Sequence, residues 1–419
     1  MLKDFRNPAE FPRPFWVLML GTFIDHIGAF MLLPFFALYI TQHFGLSMTG
    51  LGGIFFLFAA SGAIGSFIGG ALTDKFGRRT IILFGILLSA TSSLLMGFTD
   101  NLVIFIFIVI FVGVLQDIGG PAQSALVADV LPAHRQQEGF ATWRVVVNIS
   151  AVIGPLIGGI LAASNFRLLF IGDALLSYLT AIIVFLALPE TKPKPKEGQA
   201  PQTLLQTAIG YRKVLANGVF MSFVIISILG VMVYSQMNTT MPVFLRDIHN
   251  MPPENYSYLI ALNAAMVVGL QFWITRRLKN FAPLPLLALG VFCLAVGFSM
   301  FGFGSGLLYF AIAMVIITIG EMIIAPTGQA FTARLAPEDM RGRYMAMFAF
   351  SWAFPFAIGP LAAGLITDHV NFYWVWYAAG LVGLVCTVGY LLLHARVGAQ
   401  VGAMREGTPV PAPGESPAS

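Results

Sequence analysis

Long apolar stretches follow one another along almost the whole of this chain, separated by short polar turns. Charged residues make up only 10% of the 419 residues, and apolar residues 58%. Soluble domains average about 25% and 45–50%, so this chain has too few charges to cover the surface of a water-soluble protein. A helix needs about 20 mostly apolar residues to cross a bilayer. The sequence therefore predicts an all-α integral membrane protein.

Twelve apolar stretches are present, and they fall into two groups of six. The predicted organisation is an N-terminal segment 1–14, a six-helix bundle 15–188, a Pro- and Lys-rich linker 189–217, a second six-helix bundle 218–393 and a disordered tail 394–419. The predicted spans are about 15–40, 49–72, 80–98, 102–127, 139–163, 167–188, 218–244, 255–276, 283–303, 305–330, 342–366 and 371–393.

The positive charges indicate the orientation of this topology. Of the 23 Lys and Arg residues, all except Arg144, Arg167 and Arg246 fall in segments on the same side as both termini. Cytoplasmic loops carry an excess of Lys and Arg. We therefore expect a multi-pass protein of the plasma or inner membrane with both termini in the cytoplasm. Because the net charge of +4 follows this pattern, nucleic acid is not expected as a partner.

The two groups of spans are related by an internal repeat. The segment PAQSALVADVLP, residues 121–132, matches PTGQAFTARLAP, residues 326–337, at an offset of 205 residues. The same offset carries Gly154-Pro155 onto Gly359-Pro360. A constant offset across two helices and their loop predicts two halves of six helices in the same orientation.

The loop between the second and third spans reads GALTDKFGRR, residues 70–79. It resembles the loop signature G-x-x-x-D-[RK]-x-G-R-[RK] of the major facilitator superfamily. The resemblance implies the major facilitator fold, in which the two six-helix halves are related by a pseudo-two-fold. It also implies a gating role for the signature and for an acidic residue at the end of the fourth span, with ordinary interfacial charges as the alternative. The predicted gating residues are Gly70, Asp74, Gly77, Arg78, Arg79 and Asp129.

The fifth span contains SAVIGPLIGG, residues 150–159. It resembles the antiporter motif of the superfamily, G-x-x-x-G-P-x-x-G-G, with Ser150 in place of the first Gly. In the family this motif marks proton-coupled exporters, chiefly drug:proton antiporters, while generic close packing of small residues is the alternative. An Arg found in the fourth span of many such antiporters is replaced here by Gly113, and Arg144 appears in the fifth span instead. The motif residues are Gly154, Pro155, Gly158 and Gly159.

Ionisable residues inside spans need a reason, because a charge near the bilayer centre costs on the order of 2.5–3.5 kcal/mol. In the fold implied by the resemblance, Asp25, Asp117 and Glu321 lie on cavity-lining spans at similar depth. We predict that these carboxylates take part in proton coupling together with Arg144. Glu321 is the leading carrier, because GEMIIAP resembles the acidic tenth-span segment of multidrug antiporters. An Asp117–Arg144 ion pair remains an alternative, and a structural role is expected for Asp173.

A polar patch in the seventh span, with aromatic and Met side chains nearby, predicts the substrate wall. The predicted substrate-binding residues are Tyr234, Gln236, Asn238, Phe36 and Met322. Such a mixed wall suits hydrophobic or cationic small molecules. The expected function is proton-coupled export of the multidrug type, by a monomer without metal, cofactor or enzyme activity. The alternative is a facilitator or proton symporter for a small metabolite or sugar.

Overall fold

The computed structural model describes residues 11–76, 78–132, 135–189, 211–278, 280–337 and 340–405. Within these ranges it forms helices and turns and no strand. The helices of ten residues or more are α1 Arg13–Phe44, α2 Met48–Phe76, α3 Arg78–Phe98, α4 Leu102–Val130, α5 Gln136–Ser164, α6 Arg167–Ala187, α7 Gly218–Ser235, α8 Thr240–His249, α9 Pro253–Leu278, α10 Pro283–Met300, α11 Leu307–Leu335, α12 Arg341–His369 and α13 Phe372–Arg405.

These helices account for the twelve predicted apolar stretches. In the described ranges, eleven helical segments are long and apolar enough to cross a membrane, with α7 and α8 counted together. The helix α4 supplies a shorter apolar stretch, Leu102–Leu115. Large apolar side chains such as Phe107, Leu186 and Leu308 are about 70–80% exposed. Apolar surface of this extent is what a bilayer covers and what a soluble monomer avoids.

Two predicted boundaries differ from the structure. The seventh span is not one helix, because α7 ends at Ser235, Gln236–Thr239 form a turn, and α8 begins at Thr240. The last helix continues to Arg405, beyond the predicted end at 393. The assignment of residues 394–405 to a disordered tail is therefore corrected. Ala, Arg, Gln and Met are good helix formers and extend the span.

The helices form two compact units. Unit 1 contains Met1–Pro195 and Asn238–Val268, and unit 2 contains Lys196–Met237 and Gly269–Ser419. The division follows the predicted halves, except that 238–268, from the second half of the chain, packs with the helices of the first half. Each unit has its own apolar core, which includes Phe15 and Val184 in unit 1 and Phe223 and Leu287 in unit 2.

The internal repeat of the sequence appears as a repeat of helix packing. In unit 1, α1 packs against α5 and α6, and α3 packs against α4 and α6. In unit 2, α7 packs against α12 and α13, and α10 packs against α11 and α13. Each of these four pairs in the first unit corresponds to a pair in the second under the offset of 205 residues, whereas the close packing of α2 against α4 is found in unit 1 alone among the described residues. The repeat therefore describes tertiary contacts as well as sequence.

Candidate functional site

The helix α11 carries one carboxylate, Glu321, at its midpoint. Glu321 lies 14 residues from Leu307 and 14 from Leu335, since 321−307 and 335−321 are both 14. At 1.5 Å per residue this is about 21 Å from either end of the helix. The side chain is half-buried, and its neighbours on the helix are Gly320 and Met322. An ionisable residue at this depth in an apolar span is a functional candidate by default.

Glu321 lines a small cavity inside unit 2. The cavity has about 10 Å³ of free space, which is room for about one water molecule. Its other polar lining groups include the hydroxyls of Ser227, Tyr234 and Tyr390, and apolar side chains of α10 and α11 close it. In this state the cavity can hold a proton or a water molecule beside the carboxylate, and it excludes a drug-sized molecule.

A buried hydrogen bond links α7 to α13 at the wall of this cavity. The Ser227 Oγ lies 2.9 Å from the Tyr390 hydroxyl oxygen. The same Ser227 hydroxyl donates to the carbonyl oxygen of Phe223 at 2.8 Å. Tyr390 is almost fully buried, at 1% exposure. The hydroxyl pair is therefore held in one arrangement on two sides of the Glu321 cavity.

Aromatic rings form another part of the cavity wall. The Tyr234 ring meets Trp352 edge-on, with centroids 6.0 Å apart, and meets Phe356 in the same way at 6.4 Å. Sequence reasoning identified Tyr234 but missed Trp352, Tyr390 and Ser227. Ser227, Val231 and Tyr234 are spaced at i, i+4 and i+7, which places them on one helix face. This spacing is the signal from which Ser227 could have been predicted. No sequence pattern connects α12 and α13 to this face.

The polar patch of the seventh span coincides with the break between α7 and α8. Gln236 is 4% exposed, and its Nε2 donates to the carbonyl oxygen of Met232 at 2.9 Å. This bond satisfies one of the carbonyls that a helix end leaves without a partner. Asn238 belongs to unit 1, where its Oδ1 accepts from the Tyr256 hydroxyl at 3.5 Å.

The other two predicted substrate residues are packed inside helix interfaces. Phe36 is 7% exposed and lies 6.0 Å from the rings of both Phe55 and Phe105. Met322 is fully buried, and its carbonyl oxygen accepts from Gln271 at 3.0 Å. Of the five predicted substrate residues, Tyr234 is the one that lines the Glu321 cavity.

The antiporter motif lies where α5 crosses two other helices of unit 1. A Cβ on Gly154 would lie 2.7 Å from the Phe30 Cβ of α1, and one on Gly158 would lie 2.7 Å from the Phe35 ring. Gly159 faces α9 instead, where a Cβ would lie 2.7 Å from the Ser257 Cβ. Ser150 adds a hydrogen bond from its hydroxyl to the Phe23 carbonyl oxygen at 3.1 Å. Together with Pro155, which lies inside α5, the motif brings three helices into close contact.

Two carboxylates of unit 1 lie between α1, α3 and α6. Asp25 accepts a hydrogen bond from the Ser177 hydroxyl of α6 at 2.9 Å. Asp173 accepts from the Ser93 hydroxyl of α3 at 2.7 Å, and a Cβ on Gly28 would lie 2.7 Å from its Oδ1. Asp25 is therefore held against α6, and Asp173 reaches α1 one turn further along.

The remaining predicted site residues are described only in part. Outside the described residues lie Gly77, the side chains of Asp74, Arg78 and Asp117, and the surroundings of Gly70. The Arg79 guanidinium donates to the Phe185 carbonyl oxygen and lies 5.2 Å from the centre of its ring. Asp129 and Arg144 are exposed. The gating network and the Asp117–Arg144 pair remain predictions.

At the end of unit 1 where α1 reaches Phe44, the segment 238–268 is fastened to α1. The Arg246 guanidinium of α8 donates to the Leu38 carbonyl oxygen at 3.2 Å and to the Thr41 hydroxyl at 3.0 Å. The Tyr256 ring meets the Phe35 ring edge-on at 5.8 Å. With the Gly159–Ser257 contact, these interactions explain why this segment packs with the first half. Sequence reasoning used Arg246 only as a topological marker.

Comparison with known proteins places these features in one family. Residues 18–355, and again 281–414, match the family model described as Major Facilitator Superfamily. A Na(+), Li(+), K(+)/H(+) antiporter of Planococcus maritimus is 25% identical over 409 residues, covering 91% of this chain and 96% of that protein. The quinolone resistance protein NorA of Staphylococcus aureus is 26% identical over 365 residues, covering 85% and 90%. The crystal structure of the nucleoside transporter NupG matches with a TM-score of 0.77 at 13% identity, covering 91% and 99%, and supports the fold alone.

Proposed function

The chain belongs to the Major Facilitator Superfamily, and we propose that within it the protein is a proton-coupled exporter of hydrophobic or cationic small molecules. The observation that carries this proposal is Glu321, a carboxylate at the midpoint of an apolar span that lines a water-sized cavity. A carboxyl group can exist in a neutral and a charged form, and it exchanges one proton when it passes between them. Alternation between the two forms is what a proton carrier requires.

Proton and substrate exchange through alternating access in this proposal. A proton binds Glu321 from outside and is released inside, and the membrane potential favours this inward step by about 2.3 kcal/mol per charge per 100 mV. Asp25, Asp117 and Arg144 are proposed as secondary members of the coupling system, and Tyr234 as the first aromatic contact of the substrate.

Export as the direction is supported by the fifth-helix motif and by two relatives. The α5 helix follows the antiporter pattern at Gly154, Gly158 and Gly159. Each of these glycines lies close to another helix. One relative is named for quinolone resistance and another for cation/proton antiport. We propose that the protein is a monomer in the cell membrane with both termini in the cytoplasm, as the Lys and Arg distribution indicates.

The Arg246 contacts then lie on the extracellular side, where they act as an outer gate. Their release would open the outer ends of α1 and α5 away from α8 and α9. The loop signature, residues 70–79, and Asp129 are proposed as the corresponding gate on the cytoplasmic side. Alternating access requires that the two gates are not open together.

The proposal is tested with purified protein in liposomes that contain a pH-sensitive dye. A proton gradient is imposed, and lipophilic cations are added one at a time. We expect at least one cation to trigger proton movement, and Glu321→Gln to reduce that movement to the level of empty liposomes. The matched control is Glu138→Gln, because Glu138 is an exposed residue paired with Arg135 at 3.3 Å. Wild-type proton movement in Glu321→Gln would exclude Glu321 as the carrier.

A second candidate substrate is a monovalent metal cation. It is favoured by the Planococcus maritimus relative, which aligns with 91% of this chain. The same liposomes distinguish the two candidates when NaCl, LiCl or KCl replaces the lipophilic cation. Proton movement triggered by these salts, at matched ionic strength and with no response to lipophilic cations, would replace drug export by metal cation exchange.

A further inference from the structure

The hydroxyl pair beside Glu321 has a defined direction of hydrogen bonding. A Ser hydroxyl has a single proton, and that of Ser227 is donated to the Phe223 carbonyl oxygen at 2.8 Å. In the 2.9 Å contact between Ser227 and Tyr390, the donor must therefore be Tyr390. Both protons are then in use, and the Tyr390 oxygen has only lone pairs left to offer.

Those lone pairs belong to a residue that lines the same cavity as Glu321. The ionised carboxylate of Glu321 accepts hydrogen bonds and cannot donate one, whereas the protonated carboxyl group has an O–H to donate. The Tyr390 oxygen, which has no free proton to donate, therefore matches the protonated form of Glu321 and not the ionised form. The cavity has room for about one water, which can bridge the two groups.

We propose that Tyr390 is a positioning residue for proton coupling: its oxygen accepts a hydrogen bond from protonated Glu321, directly or through one water molecule. The inference rests on the proposed function, because it gives Glu321 the role of proton carrier. Ser227 accepts the Tyr390 proton, so that the lone pairs of the Tyr390 oxygen remain for the carboxyl group of Glu321. Release of the proton removes the donor, and Tyr390 must turn its own proton away from Ser227 to serve the ionised carboxylate.

Tyr390→Phe removes the acceptor and keeps the ring that fills the space. A typical hydrogen bond contributes about 0.5–1.5 kcal/mol, and one pH unit corresponds to 1.36 kcal/mol. We therefore expect proton binding to weaken about two- to tenfold, so that the midpoint of the pH profile moves about 0.4–1 unit towards acid. Ser227→Ala is expected to move it in the same direction, because the Tyr390 proton is then free to serve the ionised form.

The matched control is Tyr377→Phe on the same helix. This substitution also removes one hydrogen bond, since the Tyr377 hydroxyl donates to the Gly302 carbonyl oxygen at 2.8 Å. Tyr377 does not line the Glu321 cavity. Its midpoint should equal that of the wild type. A purely structural role for Tyr390 would lower the thermal stability of the Tyr390→Phe protein and leave the midpoint in place.

Two readouts separate this inference from the proposed function. The first is the pH dependence of substrate-triggered proton movement in liposomes. The second is infrared difference titration of the purified protein without substrate, following the C=O stretch of a protonated carboxyl group that is absent in Glu321→Gln. If no substrate triggers proton movement, the proposed function fails and the infrared midpoint still decides the role of Tyr390. An unchanged infrared midpoint and band position in Tyr390→Phe, or no Glu321-dependent band at any pH, would overturn the inference.

Discussion

The helix α1 and the broken pair α7–α8 occupy equivalent places in the internal repeat, and they are held in the same way. A Cβ on Gly154 of α5 would lie 3.0 Å from the carbonyl oxygen of Ile27. A Cβ on Gly359 of α12 would lie 3.4 Å from the carbonyl oxygen of Met232. Both contacts are related by the offset of 205 residues, since 359−154 and 232−27 are equal. A helix–helix contact through a glycine has therefore been kept in both halves.

Beyond this shared contact the two regions differ. The helix α1 continues as one helix through Met31-Leu32-Leu33-Pro34 to Phe44. The equivalent residues of the second half are Gln236-Met237-Asn238-Thr239, where the helix is interrupted. Three apolar residues and a proline are replaced by three polar residues and one Met. One of these polar side chains, Gln236, supplies a partner for the Met232 carbonyl oxygen at the end of α7.

The buried carboxylates are also distributed differently. Asp25 of α1 corresponds to Gly230 of α7, which lines the Glu321 cavity, and Glu321 of α11 corresponds to Gln116 of α4. Unit 1 thus has Asp25 on the first helix of the repeat and Asp173 on the sixth, whereas unit 2 has Glu321 on the fourth. The repeat has preserved the packing glycine pair Gly154 and Gly359 while the ionisable groups have diverged. Equivalent positions therefore do not imply equivalent chemistry.

The largest effect is expected at Gly158, where the two halves differ by one methyl group. Its counterpart is the buried Ala363, but in unit 1 a Cβ would press on the Phe35 ring and the Met31 carbonyl oxygen. Overpacking costs about 1–3 kcal/mol, and 1 kcal/mol corresponds to roughly 2–4 °C in a unit of 150–250 residues. Gly158→Ala should therefore lower the Tm in detergent by roughly 2–12 °C.

Gly269→Ala on α9 is the control for that substitution. A Cβ at Gly269 would have nothing within 4 Å, and Ala is favoured over Gly inside a helix by up to about 1 kcal/mol. Its Tm should equal or slightly exceed that of the wild type. If Gly158→Ala unfolds at the same temperature as Gly269→Ala, the close α1–α5 contact is not a feature of the protein in solution.

The sequence predicted the fold well because hydropathy and the repeat are properties of long segments. Twelve apolar stretches and a constant offset lead directly to two packed sets of helices, and the family match confirms the fold. The cavity was predicted only through Glu321 and Tyr234. Trp352 and Tyr390 come from helices that meet α7 through tertiary packing, and no local periodicity identifies such partners. The break after Ser235 was missed for a related reason, since a hydropathy window averages the three polar residues of the turn with the apolar residues around them.

The next largest effect is expected at the outer gate, where Arg246 donates to Thr41. These two residues are equivalent positions of the repeat, since 246−41 is 205. Hydrogen bonds to charged groups contribute about 1.5–3 kcal/mol, so Arg246→Ala should raise the population of the open gate roughly tenfold or more. The readout is Ser257→Cys, a buried position next to Gly159. Its labelling by a membrane-impermeant thiol reagent added outside intact cells should rise by the same factor in Arg246→Ala.

Arg167→Ala is the matched control for the outer gate. Arg167 is at the same end of unit 1, but it makes an exposed ion pair with Asp100 at 3.5 Å, and exposed pairs contribute little. Labelling of Ser257→Cys should be unchanged in this variant. Equal labelling in Arg246→Ala and Arg167→Ala would show that the Arg246 contacts do not hold the gate.

The smallest effect is expected at Asp25, the carboxylate that unit 1 has where unit 2 has Gly230. Asp25→Asn keeps an oxygen that can accept from Ser177, whose hydroxyl lies 2.9 Å away, so the contact between α1 and α6 should survive. If Glu321 is the leading carrier, this variant should slow substrate-triggered proton movement two- to fivefold and retain the coupling that Glu321→Gln loses. Asp173→Asn provides the comparison, because it leaves the Ser93 contact a similar acceptor and should change the rate by less than twofold. Complete loss of coupling in Asp25→Asn, with Glu321→Gln still active, would move the proton carrier from unit 2 to unit 1 and reverse the assignment of roles to the two halves.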